Sequence, residues 1–243
     1  MSEQQQERVV WVVGASSGMG RAAALAAAAA GRTVAVSARR EDRLDAVVAE
    51  VEAAGGRARS YPGDATDPAW AVRTAEAVAA DLGGIDELVL AAGLNSPRRA
   101  WADQRMAEFD AVVSVNLLAT VRVVDAALPA LRTRGGTVVV VSSYSAWSFS
   151  PGAGVAYSAS KSALAAVCRT LNVQEAPHGV RATHLCPGDV DTEFLQQRPV
   201  VPDAEARSVM LTPDDVARSI LHVLDAPPHV RIDELVISPL SQR

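Results

Sequence analysis

Short strand-forming runs alternate with longer segments of helical periodicity from one end of the chain to the other. The short runs predict seven strands, at residues 9–13, 34–37, 57–61, 87–91, 137–141, 181–185 and 234–237. The segments between them predict six helices, at residues 20–30, 41–54, 68–82, 104–131, 155–174 and 213–224. Strands that are mostly apolar at successive positions favour a parallel sheet covered on both faces. The strict alternation therefore predicts an α/β fold, with helices on both faces of a doubly wound, seven-stranded parallel sheet.

The whole chain, residues 1–243, is predicted to form a single domain, because no low-complexity linker and no repeat divides it. Residues 1–7 are expected to be a disordered tail. Residues 189–211 are the only long stretch without a clear element. Their prolines, Pro199 and Pro202, fit a mobile substrate loop or lid.

Composition and charge narrow the function. Hydrophobic residues make up 49% of the 243 positions, which is enough for a core, and the net charge is −5. No uninterrupted apolar run reaches the roughly 18 residues of a membrane span, so no membrane is expected. A nucleic-acid partner is not expected either, since no concentrated basic face is present. The N-terminal residues lack the regions of a signal peptide, which favours a cytoplasmic protein.

The cysteine and histidine positions predict no metal site and no disulfide framework. Cys168 and Cys186 stand far apart in the chain and lack the spacing of a metal ligand pair. His184 lies on a predicted buried strand, where packing in the core is the simpler interpretation. Cys186 is interpreted in the same way, as a small buried apolar residue.

The substrate pocket is expected to be formed by three loops, at residues 94–99, 144–151 and 189–202. Asp189 and Asp191 are interpreted as solvated loop residues. Three aromatic residues either shape an apolar substrate site or pack in the core: Trp147, Phe149 and Phe194.

The first predicted strand runs into a glycine-rich turn, Gly14-Ala15-Ser16-Ser17-Gly18-Met19-Gly20, and then an alanine-rich helix. Glycines at such a turn let the backbone approach a pyrophosphate closely, and the helix N-terminus offers unpaired N–H groups to an anion. The spacing Gly-x3-Gly-x-Gly differs from the commoner Gly-x-Gly-x-x-Gly, but the strand before it and the helix after it supply the required context. The turn predicts a dinucleotide site in a Rossmann-like domain.

The end of the second strand indicates which dinucleotide is bound. It reads Ser37-Ala38-Arg39-Arg40, and no acid occurs before Glu41. An acid at this point would bind the ribose 2′-hydroxyl, whereas an arginine accommodates a 2′-phosphate. Arg39, with Arg40 and Ser37 beside it, therefore favours NADP(H).

Only one of the 23 lysine and arginine residues is a lysine, and it follows Tyr157 by four positions, as Lys161. Residues i and i+4 share a helix face, so the ammonium can lie beside the phenol. A positive charge within about 4–6 Å favours the phenolate and lowers a tyrosine pKa from its usual value of about 10. The pair predicts a tyrosine that acts as a general acid/base.

Together these residues resemble the short-chain dehydrogenase/reductase family, in its classical branch, over essentially the whole chain. The matching motifs follow the family's order: the glycine turn at 14–20, Asp64, Asn116, Ser143, Tyr157-x3-Lys161 and Pro187-Gly188-Asp189-Val190-Asp191-Thr192.

The resemblance implies a role for each matching residue. Tyr157 would exchange a proton with the carbonyl or alcohol oxygen, and Lys161 would lower its pKa and hold the nicotinamide ribose. Ser143 would bind the substrate oxygen, and Asn116 would hold a water that connects Lys161 to solvent. The implied cofactor-binding residues are Gly14, Ser16, Ser17, Gly18, Met19, Arg39, Arg40, Asp64, Ala65, Ala91, Ala92, Gly93, Tyr157, Lys161, Pro187, Gly188, Val190 and Thr192.

Three departures from the family pattern concern the site. Val13 replaces the usual threonine before the first glycine, and Leu90-Ala91-Ala92-Gly93 replaces Asn-Asn-Ala-Gly. The interval from Ser143 to the tyrosine is one residue longer than usual, which leaves Ser142 and Ser145 as alternatives.

The resemblance implies an NADP(H)-dependent oxidoreductase that interconverts a ketone or aldehyde and an alcohol by hydride transfer. One alternative is an epimerase or dehydratase of the same family. Another is a non-catalytic, cofactor-binding regulator, which would need no acid/base pair. The expected partners are a small carbonyl or alcohol substrate and further copies of the chain, in a homodimer or homotetramer. The helices at 104–131 and 155–174, apolar on more than one face, are expected to pair between subunits.

Overall fold

The computed structural model describes residues 8–242, so the tail predicted at residues 1–7 lies outside the described part of the chain. The strands are β1 (Val9–Val13), β2 (Thr33–Ser37), β3 (Arg57–Ser60), β4 (Glu87–Leu90), β5 (Thr137–Val141), β6 (Arg181–Pro187) and β7 (Glu234–Ile237). The α-helices are α1 (Gly18–Ala29), α2 (Glu41–Ala53), α3 (Pro68–Leu82), α4 (Met106–Val113), α5 (Ala119–Arg134), α6 (Tyr144–Trp147), α7 (Val155–Gln174), α8 (Ala204–Ser208) and α9 (Pro213–Leu224).

The seven strands form one parallel sheet in the order β3-β2-β1-β4-β5-β6-β7. The predicted fold class, a doubly wound sheet with helices on both faces, is confirmed. The strand order reverses between β1 and β4. In sheets of this kind, ligands bind in the crevice outside the carboxyl ends of the strands at this reversal.

Two hydrophobic clusters cover the two faces of the sheet. Along β1, Val10 and Val12 face one cluster while Trp11 faces the other, as the period of two in a strand requires. Helices α1, α2 and α9 cover the first face, and α3, α5 and α7 cover the second. A strand buried on both sides must be apolar at successive positions, which explains the valine runs.

Two predicted segments differ from the structure. The helix predicted at 104–131 runs from 106 to 134 and contains a π-helical turn, Ser114–Leu118, where the N–H of Ala119 donates to Ser114. The loop at 189–211 contains a 3₁₀ turn, Glu193–Gln197, and α8. A bridge between Val190 and Leu211 closes the loop at its base.

Within the described residues, one helix, Met106–Arg134, is long and apolar enough to cross a membrane by length and composition, with a mean hydropathy of 1.7 over 18 residues. A core helix satisfies the same criterion. Val123, Val124 and Leu131 from this helix are buried in the core cluster against the sheet. Length and composition alone are therefore weak evidence for a membrane span.

Candidate active site

A cleft of about 900 Å³ lies at the carboxyl ends of the strands. The cofactor-binding residues that the resemblance implies all line this cleft: Gly14, Ser16, Ser17, Gly18, Met19, Arg39, Arg40, Asp64, Ala65, Ala91, Ala92, Gly93, Tyr157, Lys161, Pro187, Gly188, Val190 and Thr192. Ser143 lines it as well. Asn116 is fully buried behind the lining.

The glycine turn presents an uncapped helix N-terminus to the cleft. Ser17, the N-cap of α1, makes no side-chain cap bond, and the first turn contains no acid. Gly14 has φ +90°, and a Cβ there would lie 2.5 Å from the backbone nitrogen of Ala92. Only glycine allows this close approach of two strand ends. The free N–H groups and the positive end of the helix dipole suit the pyrophosphate of a dinucleotide.

The two arginines after β2 both line the cleft. Arg40 donates to Ser16 Oγ at 2.9 Å and to Ser17 Oγ at 2.8 Å, so its guanidinium lies over the glycine turn. Ser37, expected beside them, is instead buried, and its hydroxyl accepts a hydrogen bond from Trp11 Nε1 at 2.9 Å. Its side chain belongs to the core, because it lies on the β2 face that packs against Trp11.

Asp64 follows β3 at the cleft edge, with Ala65 beside it. Its carboxylate accepts hydrogen bonds from Thr66 N at 2.9 Å and Thr66 Oγ1 at 2.8 Å. The backbone hydrogen bond, followed in importance by the hydroxyl bond and the charge of Arg39, lowers the pKa of Asp64 against the opposing effect of burial. Asp64 is therefore held ionised and fixed in orientation.

Among the three candidate serines, Ser143 is the one whose side chain acts on the Tyr157 phenol, where it lowers the pKa against the effect of burial. Ser143 is the N-cap of α6, and its Oγ also accepts from Ser145 Oγ at 3.0 Å. Ser142 Oγ, in contrast, donates to the backbone oxygen of Lys161 at 3.1 Å and is buried. A serine hydroxyl next to the phenol is required if both groups are to bind the same substrate oxygen.

Lys161 and Tyr157 share one face of α7, with Lys161 Nζ 5.9 Å from the centroid of the Tyr157 ring. The ammonium is buried and donates to the backbone oxygen of Val141 at 2.9 Å. Burial lowers the pKa of Lys161 to about 8.

The pKa of Tyr157 differs from the sequence-based expectation. Spacing predicts a pKa lowered by Lys161, whereas burial raises the pKa of the phenol above its usual value. The hydrogen bond from Ser143 and the charges of Arg99 and Arg198 oppose this rise. The arginines stand on loops, so sequence spacing could not connect them with the tyrosine.

Asn116 lies in the π-helical turn and is held by several hydrogen bonds. Its Oδ1 accepts from Leu94 N at 2.7 Å, and its Nδ2 donates to Leu94 O at 2.9 Å and to Ser160 Oγ at 3.0 Å. A Cβ on Gly93 would lie 3.8 Å from Asn116 Oδ1 and 3.7 Å from Lys161 Nζ. Asn116 thus fixes the loop after β4 next to the lysine.

Sequence reasoning missed the polar residues that join the substrate loops. Arg99 donates to the backbone oxygens of Ser96, Gly152 and Gln197, and Asn95 N donates to Gln197 Oε1 at 2.7 Å. The only available signal was the position of these residues in loops already expected to border the pocket. Of the three aromatic candidates, Phe149 and Phe194 line the cleft and Trp147 does not.

A second polar cluster lies on β6 and β7. His184 Nδ1 is 2.9 Å from Glu234 Oε1 and 3.4 Å from Cys186 Sγ, so the three side chains have the proximity of a metal site. The sequence did not predict this grouping, because Glu234 joins it through strand pairing. The pKa of the Cys186 thiol is raised to about 12 by burial. The histidine–glutamate hydrogen bond holds two of these side chains together.

Comparison with known proteins gives consistent findings. The family model described as short chain dehydrogenase matches residues 8–200. A glycine betaine reductase of Emericella nidulans is 35% identical over 241 residues, which are 96% of this chain but only 19% of that protein. An uncharacterized oxidoreductase of Mycobacterium tuberculosis is 38% identical over 98% of this chain and 93% of its own length.

Among solved structures, an alcohol dehydrogenase from the archaeon Thermococcus sibiricus, complexed with 5-hydroxy-NADP, superposes with a TM-score of 0.88. It is 31% identical and covers 98% of this chain and 99% of its own. The likeness therefore extends over the strands, the cleft and the loops around it.

Proposed function

The chain belongs to the short-chain dehydrogenase/reductase family of oxidoreductases, and from that premise we propose that it interconverts a ketone or aldehyde and an alcohol with NADP(H). One observation carries the proposal. Tyr157, Ser143 and Lys161 line the same cleft as the 18 residues that the resemblance implies for the dinucleotide, and Lys161 lies one helical turn from Tyr157. A protein that only bound the cofactor would not need this acid/base pair.

The residues present fit a dinucleotide. The uncapped N-terminus of α1 would bind its pyrophosphate, and Asp64 with Ala65 would border the adenine. Pro187 and Thr192 would lie along the nicotinamide end. When bound, the nicotinamide would supply or accept the hydride.

The protein's own residues would handle the proton and the charge. Burial keeps the Tyr157 phenol protonated at neutral pH, so it can donate its proton to the oxygen of a carbonyl that is being reduced. The Ser143 hydroxyl would donate a hydrogen bond to the same oxygen and stabilise the negative charge developing there. Lys161, held by Val141, would place a positive charge 5.9 Å from the centre of the Tyr157 ring and lower the cost of forming phenolate in the reverse direction.

We propose NADP(H) rather than NAD(H) because Arg39 and Arg40 both line the cleft after β2, while Ala38 offers no acceptor for a ribose hydroxyl. The complex of the archaeal alcohol dehydrogenase with an NADP derivative supports the same choice. Charge-assisted hydrogen bonds from arginine to phosphate are stronger than neutral ones.

The test is cofactor consumption with a panel of ketones and aldehydes, with NADPH and NADH compared at equal concentration. We expect NADPH oxidation that matches alcohol formation, and the reverse reaction with NADP⁺ and alcohols. Cofactor binding without turnover would indicate a regulator. Conversion of substrate without net cofactor oxidation would indicate an epimerase or dehydratase.

We also propose a cytoplasmic homodimer or homotetramer. Leu118 and Val121 on the long helix and Val173 on α7 are exposed apolar side chains, with Val173 77% exposed. Exposed apolar residues on neighbouring helices favour a protein interface. Light scattering at micromolar concentration should give two or four times the mass of 25.4 kDa. A monomer at that concentration would refute the assembly, and recovery in the membrane fraction of cells would refute the location.

A further inference from the structure

Two arginines on different loops lie at the substrate end of the cleft, beside Tyr157. Arg99 lies in the loop between β4 and α4, and Arg198 follows the 3₁₀ turn of the 189–211 loop; both line the cleft. Both positive charges lower the pKa of the Tyr157 phenol, against the larger opposing effect of burial. A Cβ added to Gly154, three residues before the tyrosine, would lie only 2.8 Å from Arg99 Cβ. The guanidinium side chains therefore belong to the reacting end of the cleft.

Arg99 is held in place by neutral groups. Its Nε donates to Ser96 O at 2.8 Å, and its terminal nitrogens donate to Gly152 O at 3.1 Å and Gln197 O at 2.8 Å. A guanidinium has five N–H donors, so two remain available. Within residues 8–242, no carboxylate forms a salt bridge with Arg99. Its orientation is fixed but its charge is not neutralised.

Arg198 is paired with Asp189 across the loop. The other two acids that line the cleft are engaged elsewhere: Asp64 by Thr66, and Glu193 by Arg43 at 2.7 Å. The substrate end therefore holds two guanidinium groups and one carboxylate. Burial and the neighbouring charge of Arg198 lower the pKa of Arg99, which shows that the two cations disfavour each other. A bound anion would remove that repulsion.

We propose that Arg99 and Arg198 form an anion subsite that selects carbonyl substrates bearing a carboxylate, so that the preferred reaction interconverts an oxo acid and a hydroxy acid. This inference rests on the proposed oxidoreductase function. The two free N–H groups of Arg99 match the paired oxygens of a carboxylate. The lone positive charge is then neutralised by the substrate rather than by the protein.

The experiment compares oxo acids with their methyl esters as substrates for reduction by NADPH. The series 2-oxobutanoate, 3-oxobutanoate and 4-oxopentanoate varies the distance between carboxylate and carbonyl, and each ester keeps the carbonyl but loses the charge. For the wild type we expect kcat/KM for at least one acid to exceed that of its ester by about 10-fold or more. Arg99→Gln should lower the acid's kcat/KM by about 10- to 150-fold, as expected for loss of a charged hydrogen bond.

The ratio of acid to ester separates recognition from structural damage. Arg99 also joins three loops, so its replacement can slow both substrates, but only loss of an anion contact lowers their ratio. Arg198→Gln combined with Asp189→Asn removes the second cation without leaving its partner unpaired. Arg98→Gln is the matched control, because Arg98 pairs with Glu108 and does not line the cleft. It should leave the ratio unchanged.

These measurements test the anion subsite separately from the proposed oxidoreductase function. Esters that equal or exceed every acid in the wild type, or a ratio unchanged in Arg99→Gln, would overturn the anion subsite while leaving the oxidoreductase function intact. If no carbonyl is reduced, calorimetry of the NADPH complex with butanoate and butanamide still applies. Binding of butanoate alone, lost in Arg99→Gln, would support the subsite; equal or absent binding of both would refute it.

Discussion

The two walls of the cleft are constructed in different ways. The cofactor wall, where we propose that the dinucleotide binds, is formed by residues 14–20 and the ends of β2 to β4. It presents backbone groups and glycines that are neighbours in sequence. The substrate wall, where we propose that the carbonyl compound binds, is formed by residues 94–99, 144–153 and 193–200. It is held by side chains that reach across the chain. The bonds from Arg99 to Gly152 and to Gln197 join residues 53 and 98 positions apart.

The two walls therefore differ in how well they tolerate amino-acid substitutions. A Cβ at Gly14 would collide with the backbone of Ala92, so the cofactor wall tolerates little variation. The substrate wall depends on a few long polar side chains, whose exchange alters charge and shape without touching the sheet. We infer that substrate choice can change in this fold while cofactor binding is retained.

The largest effect on turnover is expected from a substitution that removes the proposed proton donor and leaves both walls of the cleft unchanged. Tyr157→Phe removes the transferable proton but keeps the ring that packs 6.0 Å from Phe194. Turnover should fall by about 10²- to 10⁴-fold, the usual contribution of a general acid/base. NADPH binding, measured by fluorescence titration, should be largely unchanged. Near-normal turnover would show that another group carries the proton.

A second prediction concerns stability at the junction of the walls. Burial lowers the pKa of Lys161 to about 8, so the folded protein binds this proton less tightly than the unfolded chain, where the pKa is near 10.5. The buried ammonium therefore lowers the free energy of unfolding. This destabilisation is fully present below pH 8 and disappears as the pH rises towards 10.5. Lys161→Met should therefore raise the free energy of unfolding at pH 7 by about 1–3 kcal/mol after loss of the hydrogen bond to Val141.

The same variant should lose turnover, because it removes the charge beside Tyr157. Urea unfolding at pH 7 and pH 9.5 provides the measurement, and the stability gain should shrink at the higher pH. A variant less stable than the wild type at both values would show that the buried ammonium stabilises the fold. Lys161→Arg keeps a charge but should also be severely impaired, since a planar guanidinium cannot occupy the site of a compact ammonium.

A third prediction acts on the cofactor wall alone. Ala38→Asp combined with Arg39→Gln supplies an acceptor for the ribose hydroxyl and removes a phosphate-binding charge. The ratio of kcat/KM for NADPH to that for NADH should fall by about 10- to 100-fold. Arg59→Gln, on β3 and paired with Asp81, is the matched arginine control. If kcat/KM of the wild-type enzyme for NADH equals or exceeds that for NADPH, the proposed position of Arg39 at the 2′-phosphate is wrong.

The sequence predicts the cofactor wall far better than the substrate wall, for a physical reason. Strand alternation, the glycine turn and the Tyr157–Lys161 spacing are local patterns, and the sheet brings their ends together predictably. The raised pKa of Tyr157 depends on burial, which spacing does not reveal. The contacts of Arg99 and Glu193 join segments about 100–150 residues apart, and loop geometry is not determined by periodicity.

The smallest effect is expected where the two walls meet. Glu193 lies on the 3₁₀ turn of the substrate wall. Its Oε2 accepts a hydrogen bond from Arg43 Nη1 at 2.7 Å and lies 3.5 Å from Arg40 Nη1. In the proposed NADP(H) complex, its carboxylate would therefore compete with the 2′-phosphate for Arg40. The side chain is 61% exposed, and exposed ion pairs contribute at most about 1 kcal/mol. Glu193→Gln should raise the ratio of NADPH to NADH affinity by about two- to five-fold.

The ratio of NADPH to NADH affinity is the decisive quantity for Glu193. Any loosening of the loop weakens the binding of both cofactors alike, so this effect cancels in the ratio. Asp191→Asn provides the matched control, since Asp191 pairs with Arg207 inside the same loop and does not reach α2. Its ratio should stay at the wild-type value. A ratio that falls in Glu193→Gln would mean that the carboxylate orients Arg40 towards the phosphate instead of competing with it. A change of the ratio in either direction means that the substrate wall contributes to cofactor choice, whereas an unchanged ratio would show that the two walls are independent.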